Sequence, residues 1–158
     1  SSDVCSSDLT ISLAALTEEV FCDLDPVAEK HQVRLIQTDG DCTVTGSYIL
    51  LYRAVYNLVE NAIKYNRPSG SVTVSIHTAE SAVLEVTDTG IGISPENQEK
   101  IFDPFYRVDK SRSRAMGGAG LGLALVSEIA RQHNGQVKVT QSSEKGSTIA
   151  LMLPVTLL

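Results

Sequence analysis

Four stretches of this chain alternate apolar and polar residues with a period of two, and they come as two neighbouring pairs. Val72, Val74 and Ile76 alternate with Thr73, Ser75 and His77, and "AES" separates them from a returning run, Val83 to Asp88. Near the end, Val137 and Val139 are followed, across "SSEKGS", by Ile149, Leu151 and Leu153. Such alternation buries one face of a strand, and short polar connections make each pair a hairpin. Helical spacing appears elsewhere: Leu13, Leu16, Val20 and Leu24 between Thr10 and Lys30, with Pro26 late in that pattern, and Leu121, Leu125 and Ile129 before Gly135, which is expected to close the last helix. Ser47 is placed to cap the helix between them, which "NRPSG" ends. "QVRLIQT" and "GDCTVTGS" add short strands, and "SPE" at Ser94 to Glu96 starts a helical turn with proline in first position. Two hairpins beside amphipathic helices predict an α+β fold. Its form is a two-layer α/β sandwich, a mixed sheet packed on about three helices, rather than a doubly wound parallel fold.

Bulk properties narrow the function. With 158 residues, 42% of them hydrophobic, the chain can build one full core. A formal charge of −6, still negative without Asp3 and Asp8, disfavours nucleic-acid binding by phosphate neutralisation. No apolar run is long enough to span a bilayer, no secretory signal opens the chain, and no membrane contact is expected of it. Cys5, Cys22 and Cys42 are widely spaced and form no CxxC pair, so they read as free thiols of a reducing, cytoplasmic compartment. Residues 1–9, "SSDVCSSDL", lack any period and are read as a cloning scar or a polar linker, with the domain taken as 10–158.

The helix "NLVENAIKYN" is unusual on its polar side. Asn57, Glu60, Asn61 and Lys64 fall within roughly 100° of arc, opposite Leu51, Val55, Leu58, Val59 and Ala62. An ordinary solvated face would mix Glu and Lys, whereas Asn is a poor helix former. A carboxamide oxygen suits Mg²⁺ that draws its remaining oxygens from phosphates and water, and Lys64 can meet a phosphate. Asp88 continues the core-facing row of Leu84 and Val86 into "DTGIGI". There it either takes backbone amides of its own turn or accepts from an exocyclic amine, with glycines admitting a flat base. "GGAGLGLA" is neither a Walker A loop nor a dinucleotide fingerprint, but it offers glycine amides at a helix start, where phosphates bind well. Arg107, Lys110, Arg112 and Arg114 precede it as a solvated basic loop or a closing lid.

Together, "NLVENAIKYN", "DTGIGI", "IFDPFYRVD" and "GGAGLGLA", in this order, resemble the N, G1, F and G2 boxes of the catalytic, ATP-binding domain of bacterial sensor histidine kinases. The resemblance covers roughly Thr10 to Pro154 and implies a Bergerat-type sandwich that binds ATP and Mg²⁺. It implies Asn61 as the metal ligand, Asn57 beside the phosphates, and Lys64 and Tyr65 on the phosphate–ribose side. Asp88 would hold the adenine amine in a pocket shaped by Gly90, Gly92 and Ile93. Phe102 and Phe105 would anchor the base of a lid, and Arg107 would reach the γ-phosphate. Gly118, Gly120 and Gly122 would form a phosphate-side hinge, with Leu121 among them. Catalysis would fall to Asn57, Lys64 and Arg107. Ala119 departs from the pattern, standing where a hydroxyl residue is frequent.

The implied partners are a phosphoacceptor histidine on a separate dimerisation domain and a downstream response regulator, within a membrane-bound sensor. No H box is present here, and His31, His77 and His133 read as structural or exposed, so this stretch alone is not expected to phosphorylate itself. Two rival functions are an ATP hydrolase of the same superfamily and a non-catalytic nucleotide-binding module. The hydrolase would need a glutamate one turn before Asn61, where Asn57 stands; Glu60 is adjacent instead.

Overall fold

The computed structural model describes residues 9–98, 100–103 and 122–155. Strand β1 (Leu9–Ser12) opens it and pairs antiparallel with β3 (Thr43–Gly46), Leu9 opposite Gly46. Helix α1 (Leu13–Lys30) therefore starts three residues later than the Thr10 expected from spacing, and the strand begins at the last residue of the segment read as a scar or linker. The reason is local. Thr10 and Ile11 are β-branched and find a partner strand, and the Ser12 hydroxyl accepts the amide of Ala15 at 3.2 Å to cap the helix. Pro26 is accommodated inside α1.

Helix α2 (Tyr48–Lys64) carries the polar strip, and Ser47 caps it as expected by accepting from Leu50 N at 3.3 Å. Helix α3 (Gly122–Gln132) is the third α-helix among the described residues. The larger sheet combines β2 (Arg34–Gln37), β4 (Ser71–Thr78), β5 (Ala82–Asp88), β6 (Gln136–Ser143) and β7 (Gly146–Leu153) in the order β2-β4-β5-β7-β6. Only β2 and β4 run parallel, so the sheet is mixed, and both expected hairpins are present. "SPE" forms a single 3₁₀ turn, Pro95–Asn97, and a second follows at Lys100–Phe102.

One sheet face packs on the helices. Val72, Val74, Leu84, Val86, Ile149 and Leu151 join the apolar sides of the helices in one core, β4 and β5 against α1 and α2 and β7 against α3, and every residue named above for the buried side of α2 is buried. On α3 the buried positions are Val126, Ile129 and Ala130; Leu125, expected in that row, is exposed because it falls on the flank. The close of α3 also differs from expectation. Asn134 takes the left-handed conformation (φ 62°), while Gly135 donates to Ala130 O at 2.8 Å. Gly135 is required for a different reason: a Cβ there would lie well under 3.0 Å from the Met152 carbonyl oxygen. Cys22 is exposed, Cys42 is buried, and no described helix is long and apolar enough to cross a membrane.

Asp41 pins the small sheet to the start of α1. Its carboxylate accepts from Ala14 N at 2.9 Å, Cys42 N at 2.7 Å and the Ser12 hydroxyl at 2.8 Å. Burial acts to raise its pKa, but these donors together outweigh that and hold it below 3.8. A folded-state pKa below the unfolded one contributes stability above pH 3.8 that is lost as pH falls through the folded value. Asp41→Ala should thus cost about 1 kcal/mol at neutral pH, as a lost helix cap does in an exposed setting. In urea melts at pH 7 and pH 3, the difference from the parent should shrink at the lower pH.

Candidate functional site

The polar strip of α2 lies along a groove whose two ends are built by other elements. At the amino-terminal end, Asn57 Nδ2 donates to the carbonyl of Gly122, the first residue of α3, at 3.3 Å. A Cβ at Gly122 would meet no described atom within 4 Å. One helical turn along, Glu60 and Lys64 form an ion pair at 3.8 Å, both partly exposed. Asn61 sits between them, half-buried, and its carbonyl accepts the amide of Tyr65, which caps the helix.

At the far end the tip of β5 meets the end of α2. Gly90 is buried, and a Cβ on it would stand well under 3.0 Å from the Tyr65 carbonyl oxygen. Gly92 has φ 78°, and a Cβ there would collide with the Ser143 carbonyl. Ile93, partly buried, donates its amide to Ser142 Oγ at 2.6 Å and accepts from Gln98 Nε2 at 3.0 Å. Phe102 is half-buried against the core, in a turn that packs on α3. Phe105, Arg107, Gly118, Gly120 and Leu121, with Ala119 and the basic residues around them, lie outside the described residues.

Asp88 is held from two directions. Gly90 N donates to Oδ1 at 2.9 Å, the Asx-turn contact anticipated for a D-x-G sequence. Ser147, its register partner on β7, donates its amide to Oδ1 at 3.3 Å and its hydroxyl to Oδ2 at 2.9 Å. Burial pushes the Asp88 carboxyl above its ordinary value, and the three donors only partly counter it. Oδ2 keeps an acceptor position beyond the Ser147 hydroxyl, so the carboxylate can take one more donor.

Asn57 and Tyr65 are eight residues apart, about 12 Å along the helix. A ligand laid along the strip would reach from a partly buried carboxylate flanked by close-packed glycines to Gly122 of α3. That suits a molecule with a flat, amine-bearing end and an anionic end. Among the described residues no three His, Cys, Asp or Glu side chains cluster as a metal site, so a cation here would draw on carboxamides and the ligand's own oxygens. His133 has a structural place: its Nε2 accepts from Ser47 N at 3.1 Å and its Nδ1 lies 2.9 Å from Ile129 O.

Sequence reasoning missed Ser142 and Ser147, which act only through strand register, and also Asn66, Thr89 and Ser71, whose side-chain and backbone groups bind one another around the glycine turn. The only signal for the latter group was adjacency: Thr89 follows Asp88, and Asn66 follows Tyr65.

Comparison with known proteins agrees with this fold. Residues 46–157 match the family described as histidine kinase-, DNA gyrase B-, and HSP90-like ATPase. Sensor histidine kinase RppB of a Synechocystis strain is 40% identical over 152 residues, which is 96% of this chain and 32% of that protein. Sensor-like histidine kinase SenX3 of Mycobacterium bovis is 46% identical over 123 residues, 75% of this chain and 30% of that one. The chain thus spans about a third of the length of these relatives. The structure of mycobacterial sensor histidine kinase MprB superposes with a TM-score of 0.80 at 27% identity, covering 96% of this chain and 99% of that one. The chain belongs to the histidine kinase-, DNA gyrase B- and HSP90-like ATPase family, as a catalytic domain of the sensor histidine kinase type.

Proposed function

We propose that the groove along α2 binds Mg–ATP and presents the γ-phosphate to a histidine on a separate acceptor domain, as the first step of two-component signalling through a response regulator. The observation that carries this reading is Asp88, a partly buried carboxylate with a spare acceptor position beside close-packed glycines, at one end of a polar strip whose other end meets Gly122 of α3.

In this reading Asp88 accepts from the exocyclic amine of adenine, and the backbone at Gly90, Gly92 and Ile93 lies against the ring. Asn57, Lys64 and Tyr65 face the ribose and phosphates, Asn61 holds Mg²⁺, and Arg107 meets the γ-phosphate. Bound Mg²⁺ supplies charge neutralisation on the phosphate oxygens. Lys64 leaves Glu60 for the incoming anion, an exchange that costs little because partly exposed ion pairs are weak. The acceptor imidazole attacks phosphorus, the bridging bond to the β-phosphate breaks, and ADP leaves. Positioning and charge stabilisation account for the rate, and no side chain of this domain forms a covalent bond. Hydrolysis is disfavoured because the position one turn before Asn61 is Asn57, a carboxamide that cannot take a proton from water, while Glu60 is adjacent to Asn61 rather than a turn before it.

The test has two parts. Calorimetry should give ATP binding that strengthens with Mg²⁺ in the parent, and Asn61→Asp should alter that dependence. With γ-labelled ATP and an added histidine-bearing dimerisation domain, label should move to the added domain and none to this chain alone. Absence of binding, or release of free phosphate without an acceptor, would overturn the proposal.

A further inference from the structure

One side-chain cluster lies beside the site and takes no part in the reading above. Asn66 follows the end of α2 and Thr89 follows Asp88; the two meet over Gly70 and Ser71. Thr89 Oγ1 donates to Asn66 Oδ1 at 2.9 Å and accepts from Ser71 N at 2.9 Å. Asn66 Nδ2 donates to Ser71 O at 2.8 Å, and Asn66 Oδ1 also accepts the amide of Arg67 at 2.8 Å. The carboxamide is used as donor and acceptor together, which an ionised carboxylate, an acceptor only, does not reproduce. Space has been left for this knot: a Cβ on Gly70 would fall well under 3.0 Å from both Asn66 Oδ1 and Thr89 Oγ1. The Arg67 guanidinium extends the tie to the carbonyl of Glu144, in the turn joining β6 and β7. That hairpin is the one whose Ser142 and Ser147 hold Ile93 and Asp88.

We infer that Thr89 and Asn66 are positioning residues that set the Asp88 carboxylate in register with α2, so that the base and the phosphates of one nucleotide are met at a fixed separation. The inference rests on the Mg–ATP reading. Thr89 directly follows Asp88 and Asn66 directly follows Tyr65, so the knot is a direct side-chain link between the two halves of the groove. Loosening it leaves each half intact and makes their separation variable. The penalty then falls on a ligand that spans both ends, because it must order them on binding. A ligand confined to the phosphate end is indifferent.

The experiment compares Thr89→Val, which keeps the shape and removes the hydroxyl, with Thr89→Ser, which restores it. Displacement of a fluorescent ATP analogue by Mg–ATP and by Mg–tripolyphosphate gives both affinities, with thermal melts run alongside. Thr89→Val should weaken Mg–ATP about tenfold, the scale of one ordering hydrogen bond, while tripolyphosphate displaces as in the parent. Thr89→Ser should recover most of the loss. Asn66→Ala should give the same split, and it replaces Thr89→Val if that variant does not fold. Parent-like ATP affinity in these variants, or equal weakening of both ligands, would overturn the positioning role alone. A parent that binds no ATP would overturn the nucleotide reading and this inference with it.

Discussion

Asp88→Asn should lose Mg–ATP and keep its fold. In the folded chain Oδ1 of the carboxylate receives the amides of Gly90 and Ser147, and Oδ2 receives the Ser147 hydroxyl. An asparagine fills the same space. Its oxygen takes the two amides, and its amide nitrogen donates to Ser147 Oγ once that hydroxyl turns to accept. The three contacts are kept in number, with the Ser147 hydroxyl giving up Asp88 as its acceptor. The nucleotide fares differently, because an adenine amine would now face a donor. Loss of a charge-assisted bond plus that mismatch is worth about 3 kcal/mol, roughly a hundredfold in Kd by calorimetry.

Stability should move the other way. Burial raises the Asp88 pKa above 3.8 in the fold, so its contribution is present below the unfolded pKa and is lost as pH rises through the folded one. At neutral pH the ionised group therefore works against folding, and Asp88→Asn removes that cost. Its Tm at pH 7 should equal or exceed the parent's, with the gap closing below about pH 4 as the parent carboxyl protonates. Saturating Mg–ATP should raise the parent's Tm and leave the variant's unchanged. A variant that binds ATP like the parent would remove Asp88 from the base-recognition role.

These two consequences mark where the sequence was legible. Period-two alternation identifies β4, β5, β6 and β7, and the continuation of Leu84 and Val86 into Asp88 singles out that carboxylate from the sequence alone. The 3.6-residue period of α2 separated its buried and polar sides correctly, because both depend on one element's own geometry. What failed was tertiary. β1 was read as helix since only its pairing with β3 makes Thr10 and Ile11 a strand. Ser147 could not be assigned to Asp88 without knowing that β5 and β7 are neighbours in a given register. The Asn66–Thr89 knot joins residues 23 apart through a glycine turn, with no periodic signal at all. Close packing of glycine is likewise silent in sequence: Gly70, Gly90 and Gly122 look alike there, and only the first two exclude a side chain among the described atoms.

That difference between glycines leads to the variant with the largest effect on both folding and binding. In Gly90→Ala the added methyl would sit well under 3.0 Å from the Tyr65 carbonyl oxygen and close to the Asn66 Cα, both backbone. Neither atom can rotate away as a side-chain end would, so the loop after Asp88 has to part from the end of α2. Separation strains the Thr89–Asn66 link, which ties the loop after Asp88 to the end of α2. Overpacking against backbone together with a strained cross-link should cost about 3 kcal/mol, read as a Tm lower by about 10 °C for a domain of this size. Nucleotide binding should fall below detection, since base and phosphate contacts can no longer be made at once. Gly122→Ala is the matched control: its methyl meets no described atom, and alanine favours the helix that begins there, so its Tm should hold or rise. If Gly90→Ala melted with the parent and bound ATP as well, the contact between the β5 tip and the end of α2 would not be the joint on which the site depends. The opposite signs expected for Asp88→Asn and Gly90→Ala in Tm, with binding lost in both, separate what recognises the ligand from what holds the recogniser in place.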